Sequence, residues 1–366
     1  MKHNIIYTTL CTLLLTIPLY ATRAEESLPQ VTIGGLLCLT GDCAEYGTNA
    51  HHGVLLALDT LNSRGGILKR KVSLTLQDSG DSTPKQTVVA YQKLTQEEKL
   101  PLIIGPTWTI GAMSVAPLMK HHPETIVISP SVGMRDFNET APHIFNTWPH
   151  DEIATRKLAH HAIKNGWKKI AILSAQEPWV TTQTQVFQEE LLALGGAVTV
   201  SLAPLPSTRD LRTEALQIKN SRPDAIFIAN YQSDIIAKEL QKLKVTIPLM
   251  VILMEKNRVL AANGALEGAI FGQYEASQDE FVKAFKNKFN AAPGISADTA
   301  YDAVMLYAQA VETAQTFEAN AVQRALTMIR NFKGASGTFS MNEQGAVVKT
   351  PVIWRIRGES YERVTP

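Results

Sequence analysis

Val31-Thr32-Ile33-Gly34-Gly35-Leu36-Leu37-Cys38-Leu39 is a mainly apolar run that gives way to a polar loop at 40–47 and then to a helical pattern over 49–62. Such a β-rich run, followed by a helix and then by more of the same, reads as the first unit of a parallel sheet covered by helices on both faces. The alternation continues outward from it. Strand-like runs at 72–77, 102–104, 126–128 and 144–145 are separated by helical patterns at 84–98 and 111–121. Strands that alternate with helices in this way form βαβ units.

The pattern then starts again. A helical stretch at 151–165 leads to strand-like runs at 169–173, 197–202, 225–229 and 248–253, with helices at 181–194, 209–220 and 233–244 between them. Two such sets predict an α/β protein of two doubly wound parallel-sheet lobes. After 268–274 come amphipathic helices at 278–290, 296–313 and 320–331, then short strands at 337–340 and 351–356. This tail is too small for a third domain. It is expected to complete the two lobes, so that the chain crosses between them more than once.

The chain has 366 residues, more than one hydrophobic core usually serves, which agrees with two domains. Its start reads as a secretory leader: Met1-Lys2-His3, an apolar core over 5–20, and Ala21-Thr22-Arg23-Ala24 ahead of Glu25-Glu26. The core is shorter than the roughly 20 residues that span a bilayer and is interrupted by Pro18. Cleavage is expected after about Ala24, releasing a soluble periplasmic protein. Lys2 and Arg23 leave with the leader, so the 35 basic and 34 acidic residues of the whole chain become a near-neutral mature surface. A surface without blocks of like charge argues against nucleic acid or an acidic membrane as partner.

Cys38 and Cys43 are the cysteines left after the leader, and in an oxidising compartment they are a disulfide candidate that would stiffen the 40–47 loop. Free thiols or a redox pair are the rival readings. Two cysteines supply only half of a zinc site, and the His-His pairs at 51–52, 121–122 and 160–161 point apart on a helix, so no metal is expected. The chain has no phosphate loop, dinucleotide fingerprint, Gly-x-Ser-x-Gly elbow or His-Glu-x-x-His. No cofactor and no catalysis are expected.

Ligands of open α/β sheets bind beyond the carboxyl ends of the strands. That directs attention to the loops at 40–47, 105–111 and 129–133. Thr109 stands at the expected start of a helix, where a hydroxyl and free backbone amides together receive an anion, or where the hydroxyl simply caps the helix.

Read in order, these loops resemble the branched-chain amino-acid binding proteins of ABC transporters, in the type I periplasmic binding family, across the whole mature chain. The resemblance is carried by Leu39-Thr40-Gly41 with Tyr46-Gly47, Gly65-Gly66-Ile67, Asp78 with Pro84, Ile104-Gly105-Pro106 and Val115-Ala116-Pro117. It continues in Ile128-Ser129-Pro130-Ser131, Leu194-Gly195-Gly196, Pro223-Asp224-Ala225, Leu266-Glu267-Gly268 and Ala300-Tyr301-Asp302-Ala303-Val304. It implies two lobes joined by a three-strand hinge and closing over a ligand. The lobes would be 25–149 with 275–335, and 150–274 with 336–366.

By position, the resemblance implies that Tyr46 flanks the ligand, Thr109 and its amide hold an α-carboxylate, and the Val132 carbonyl faces the ammonium. Asp151, Trp179 and Tyr231 fall at cleft positions of the second lobe, and Glu255 is the acidic partner of the ammonium. Gly133 stands where the family offers a hydroxyl. Trp108 and Trp179 lie in cleft loops and suit a ligand larger or flatter than valine, while Trp148 reads as packing.

The expected function is a periplasmic solute-binding protein, working as a monomer, that delivers an amino acid or amino-acid-like compound to an ABC transporter permease. A periplasmic sensor subunit is the alternative, and neighbouring genes distinguish the two: permease and ATPase against kinase or cyclase. A secreted α/β hydrolase, using Asp151 and Glu255 as acid and base, lacks a nucleophile motif.

Overall fold

The computed structural model describes residues 28–80, 84–275 and 277–364, with Met1. The leader and its cut after Ala24 lie outside the described residues. The first sheet contains β1 (Gln30–Leu37), β2 (Lys71–Asp78), β3 (Leu102–Ile104), β4 (Ile126–Ser129) and β5 (Ile144–Asn146), all parallel, in the order β2-β1-β3-β4-β5. Its connections hold α1 (Ala44–Ser63), α2 (Pro84–Gln92, extended by a π-helical turn), α3 (Thr109–Met119) and the short α4 (Arg135–Asn138). The apolar runs that form β3, β4 and β5 are buried on both faces, as a sheet between helical layers requires.

The second half repeats the winding. After α5 (Asp151–Lys164) come β6 (Lys169–Leu173), α6 (Pro178–Ala193), β7 (Ala197–Leu202), α7 (Arg212–Asn220), β8 (Ala225–Ile228) and α8 (Ser233–Lys242). β9 (Leu249–Val251), α9 (Lys256–Ala262) and β10 (Ile270–Gln273) follow, and the parallel strands lie in the order β10-β9-β8-β6-β7. Both sheets therefore reverse their strand order at the same place, beside their first strand. A crevice opens at each reversal.

The chain then returns to the first sheet through α10 (Asp279–Phe289), α11 (Ala297–Ala314), α12 (Ala319–Thr327) and a small antiparallel sheet of β11 (Phe332–Gly334), β12 (Gly337–Met341) and β13 (Val347–Val348). It ends with β14 (Val352–Arg357) and β15 (Ser360–Arg363), added antiparallel beyond β10. The three passages between the sheets are thus 146–151, 273–279 and 348–352, the hinge that the resemblance implied. Two of them are tied together where the Tyr274 hydroxyl donates to the His150 carbonyl at 3.1 Å.

Two details differ from the sequence reading. α1 begins at Ala44, ahead of residue 49, because the turn that starts it (Ala44 N–H to the Gly41 carbonyl, Tyr46 N–H to the Cys43 carbonyl) carries no apolar periodicity. Phe339, Met341 and Val347 pack in one cluster with Ile33 of β1 and Tyr307 of α11, so the first lobe's core runs past residue 335.

Candidate functional site

The loops at the two strand-order reversals face each other. On the first sheet, the loop after β1 is closed by a Cys38–Cys43 disulfide with a Cα–Cα distance of 5.9 Å. The Cys38 N–H donates to Thr107 Oγ1 at 2.8 Å, which joins this loop to the one after β3. Asp78 at the end of β2 accepts from the Leu39 N–H at 2.8 Å, the Thr40 hydroxyl at 2.7 Å and the Gly80 N–H at 2.9 Å. Burial alone would push its carboxyl up, but these donors outweigh burial and hold it below the usual range.

Tyr46 leaves this rigid loop on the first turn of α1. Its ring centroid is 5.6 Å from that of Trp108, and its hydroxyl donates to Glu255 Oε1 across the two lobes. Glu255 immediately precedes α9; burial raises its pKa, against the pull of Arg258 at 4.0 Å. Trp108 is the extended residue ahead of α3 and Thr109 is the first helical residue. The hydroxyl therefore stands one place inside the helix, beside backbone amides that have no partner within the helix.

On the second sheet, Glu177 caps α6 by accepting from the Val180 N–H at 2.9 Å, which fixes the turn carrying Trp179. The Trp179 ring stacks on Tyr231 with centroids 5.4 Å apart, and Tyr231 lies 5.7 Å from Trp108. Four rings thus form a chain from lobe to lobe. Beneath them, Asp151 accepts from Trp148 Nε1 through Oδ1 and from Trp179 Nε1 through Oδ2, both at 2.8 Å. Burial drives its carboxyl up to about 6, while the two indole donors work against that rise.

Tyr46, Trp108, Thr109, Asp151, Trp179 and Tyr231 border a cavity of ≈ 40 Å³. Next to it, on the hinge side, is a chamber of ≈ 520 Å³ bordered by Glu255, and Tyr46 and Trp148 border both spaces. The hydrogen bond between Tyr46 and Glu255 crosses between the lobes at the junction.

Val132 and Gly133 are not among the residues that border either cavity. Val132 is fully buried and its carbonyl accepts from Asn146 Nδ2 at 3.1 Å. Gly133 lies behind Asp151: a Cβ at 133 would meet Asp151 Oδ2 at 2.1 Å. The carboxylate thus fills the space a side chain at 133 would need. Trp148 is more than packing, because it holds Asp151 and borders both cavities. Ser131, Leu253 and Ile295 also border the smaller cavity; only tertiary packing brings them there.

Comparison with known proteins agrees with this architecture. The chain matches the periplasmic binding protein family over residues 30–356. It is similar to the Leu/Ile/Val-binding protein BraC3 of Rhizobium johnstonii, with 27% identity over 349 residues covering 92% of this chain and 94% of that one. Among solved structures it is similar to a leucine-binding protein, LivK, of Thermotoga maritima, with TM-score 0.83 and 22% identity over 92% of this chain and 98% of that one. It is also similar to an ABC-transporter solute-binding protein of Rhodopseudomonas palustris in complex with 3,4-dihydroxybenzoic acid, with TM-score 0.82 and 21% identity over 92% and 96% of the two chains. With the family match covering both lobes and all three crossings, this chain belongs to the periplasmic binding protein family: it is a solute-binding protein and not an enzyme.

Proposed function

We propose that the chain captures one amino acid or amino-acid-like molecule between its lobes and presents the closed form to an ABC transporter permease. The observation that supports this most is the convergence of both strand-order reversals on one cavity, bridged by the Tyr46–Glu255 hydrogen bond. In this reading the Thr109 hydroxyl and the first amides of α3 receive a carboxylate. Glu255 receives an ammonium, and Tyr46, Trp179 and Tyr231 form the walls. The lobes are 28–146 with 277–348, and 151–273 with 352–364. The leader is cut after Ala24 and the mature protein works in the periplasm as a monomer.

The test is a thermal-shift screen of mature protein, refolded to remove carried-over ligand, against amino acids, small aromatic acids, amides and polyamines. A ligand at 100 times its Kd adds about 2.7 kcal/mol, a clear upward shift. Thr109→Ala and Glu255→Ala are expected to lose it. A stabilising ligand that both variants still bind at full strength would overturn the carboxylate and ammonium roles.

A further inference from the structure

We propose that the cleft is built for an organic cation, a ligand with an ammonium or guanidinium group and net positive charge, with Asp151 as its counter-ion and Trp108, Tyr231 and Trp179 as the surface it lies against. The proposal rests on the solute-binding reading above and narrows its ligand class.

The first argument is charge balance. Among the described residues bordering the smaller cavity, Asp151 is the only carboxylate and there is no lysine, arginine or histidine. Glu255, linked to the cavity through Tyr46, already has the Arg258 guanidinium 4.0 Å away. A zwitterionic amino acid would balance Asp151 with its ammonium, but its own carboxylate would enter a cavity that offers it no cationic side chain. One acid would then be enclosed without a counter-charge, which is costly in a desolvated site. A ligand with an additional cationic group removes that deficit.

The second argument is how Asp151 is presented. Each oxygen accepts one indole N–H at 2.8 Å, from donors that are neutral, so the carboxylate is oriented without being neutralised. An ionised carboxylate has about four lone-pair sites, which leaves two for a ligand. The side chain occupies the volume that a residue larger than glycine at 133 would need, since a Cβ there would lie 2.1 Å from Oδ2. Glycine at 133 therefore leaves room for the carboxylate at the edge of the cleft.

The third argument is the wall. Trp108, Tyr231 and Trp179 stand in a row at centroid separations of 5.7 Å and 5.4 Å, and the faces of such rings attract cations. Four carboxylates, Glu45, Glu255, Glu275 and Asp298, and two lysines, Lys256 and Lys349, border the adjoining chamber, and Glu275 is paired with Arg363 at 3.1 Å. The Lys349 ammonium donates to the Ser336 carbonyl at 2.7 Å and is balanced by the carboxylates of Asp298 and Asp302.

The experiment is calorimetric titration of refolded mature protein with arginine, agmatine and choline as cations, leucine and phenylalanine as zwitterions, and benzoate as anion. At least one cation is expected to bind about tenfold or more tighter than leucine. Asp151→Asn is expected to weaken that cation about a hundredfold and to weaken leucine by a smaller factor. If leucine, phenylalanine or benzoate binds and the cations do not, the inference fails while the solute-binding reading stands. A cation bound equally well by Asp151→Asn would also overturn it. If none of the six binds, both the inference and the amino-acid-like reading fall. The wild-type panel decides the class even where the variant does not refold.

Discussion

Replacing Asp302 with alanine is expected to destabilise the protein by about 3–5 kcal/mol, the largest single effect outside the hydrophobic core. Asp302 sits on α11 with no exposed surface. Its carboxylate accepts from the Ala335 N–H at 2.6 Å, the Ser336 N–H at 2.9 Å and the Ser336 hydroxyl. Lys349, at the third crossing, donates to the Ser336 carbonyl and lies 4.7 Å over the Phe339 ring. Alanine would leave two buried N–H groups and a hydroxyl without an acceptor and take away one of the two carboxylates, Asp298 and Asp302, that balance Lys349. A thermal melt is expected to fall by about 6–10 °C, and a change under 2 °C would mean that other contacts hold the turn between β11 and β12.

The same residue makes a pH-dependent contribution. Burial pushes the Asp302 carboxyl up to about 7, from the 3.8 of an ordinary carboxylate. Between those values the native chain holds a proton at this site that the unfolded chain releases, so this contribution to stability declines as pH rises from about 4 to 7. The stability of wild type relative to Asp302→Asn, followed by urea midpoint across that window, is expected to fall with rising pH. A flat difference would contradict the assignment.

Gly47→Ala is expected to cost about 3 kcal/mol and to abolish ligand binding, although alanine is the better helix former by about 1 kcal/mol. A Cβ at 47 would lie 1.7 Å from the Cys38 carbonyl oxygen. Cys38 cannot retreat easily, because its N–H is bound to Thr107 and its sulfur to Cys43, immediately ahead of α1. The first turn of α1 must shift instead. That moves Tyr46 away from both Trp108 and Glu255. A melt and a ligand titration check this together, and a variant that is more stable than wild type with unchanged affinity would show that the close approach is not there.

Much of this was legible in the sequence. Runs such as 102–104 and 225–228 are buried on both faces, so their lack of a polar face announced the sheets directly. α9, β13 and β15 were not legible, since they are short and owe their form to neighbours distant in sequence. Thr109 stood out by its place at a helix start, while Tyr46, Asp151, Trp179 and Tyr231 were named through the family resemblance. What position could not show was how they meet. The indoles that orient Asp151 come from two different segments, and Glu255 finds Tyr46 only when the lobes are placed together. Nor could position show that Val132 is buried and that its carbonyl accepts from Asn146. Asp302 lay in a stretch that carried the family resemblance, yet its partners at 335 and 336 come from another part of the chain.

The most direct test of the account is a crystal structure of the mature protein with the ligand that the titrations select. The account predicts one molecule per chain, chemically unaltered, enclosed between the lobes with contacts to Trp108 and Thr109 on one side and to Asp151, Trp179 and Tyr231 on the other. A ligand bound outside this cleft, touching one lobe only, or recovered as a reaction product would contradict it.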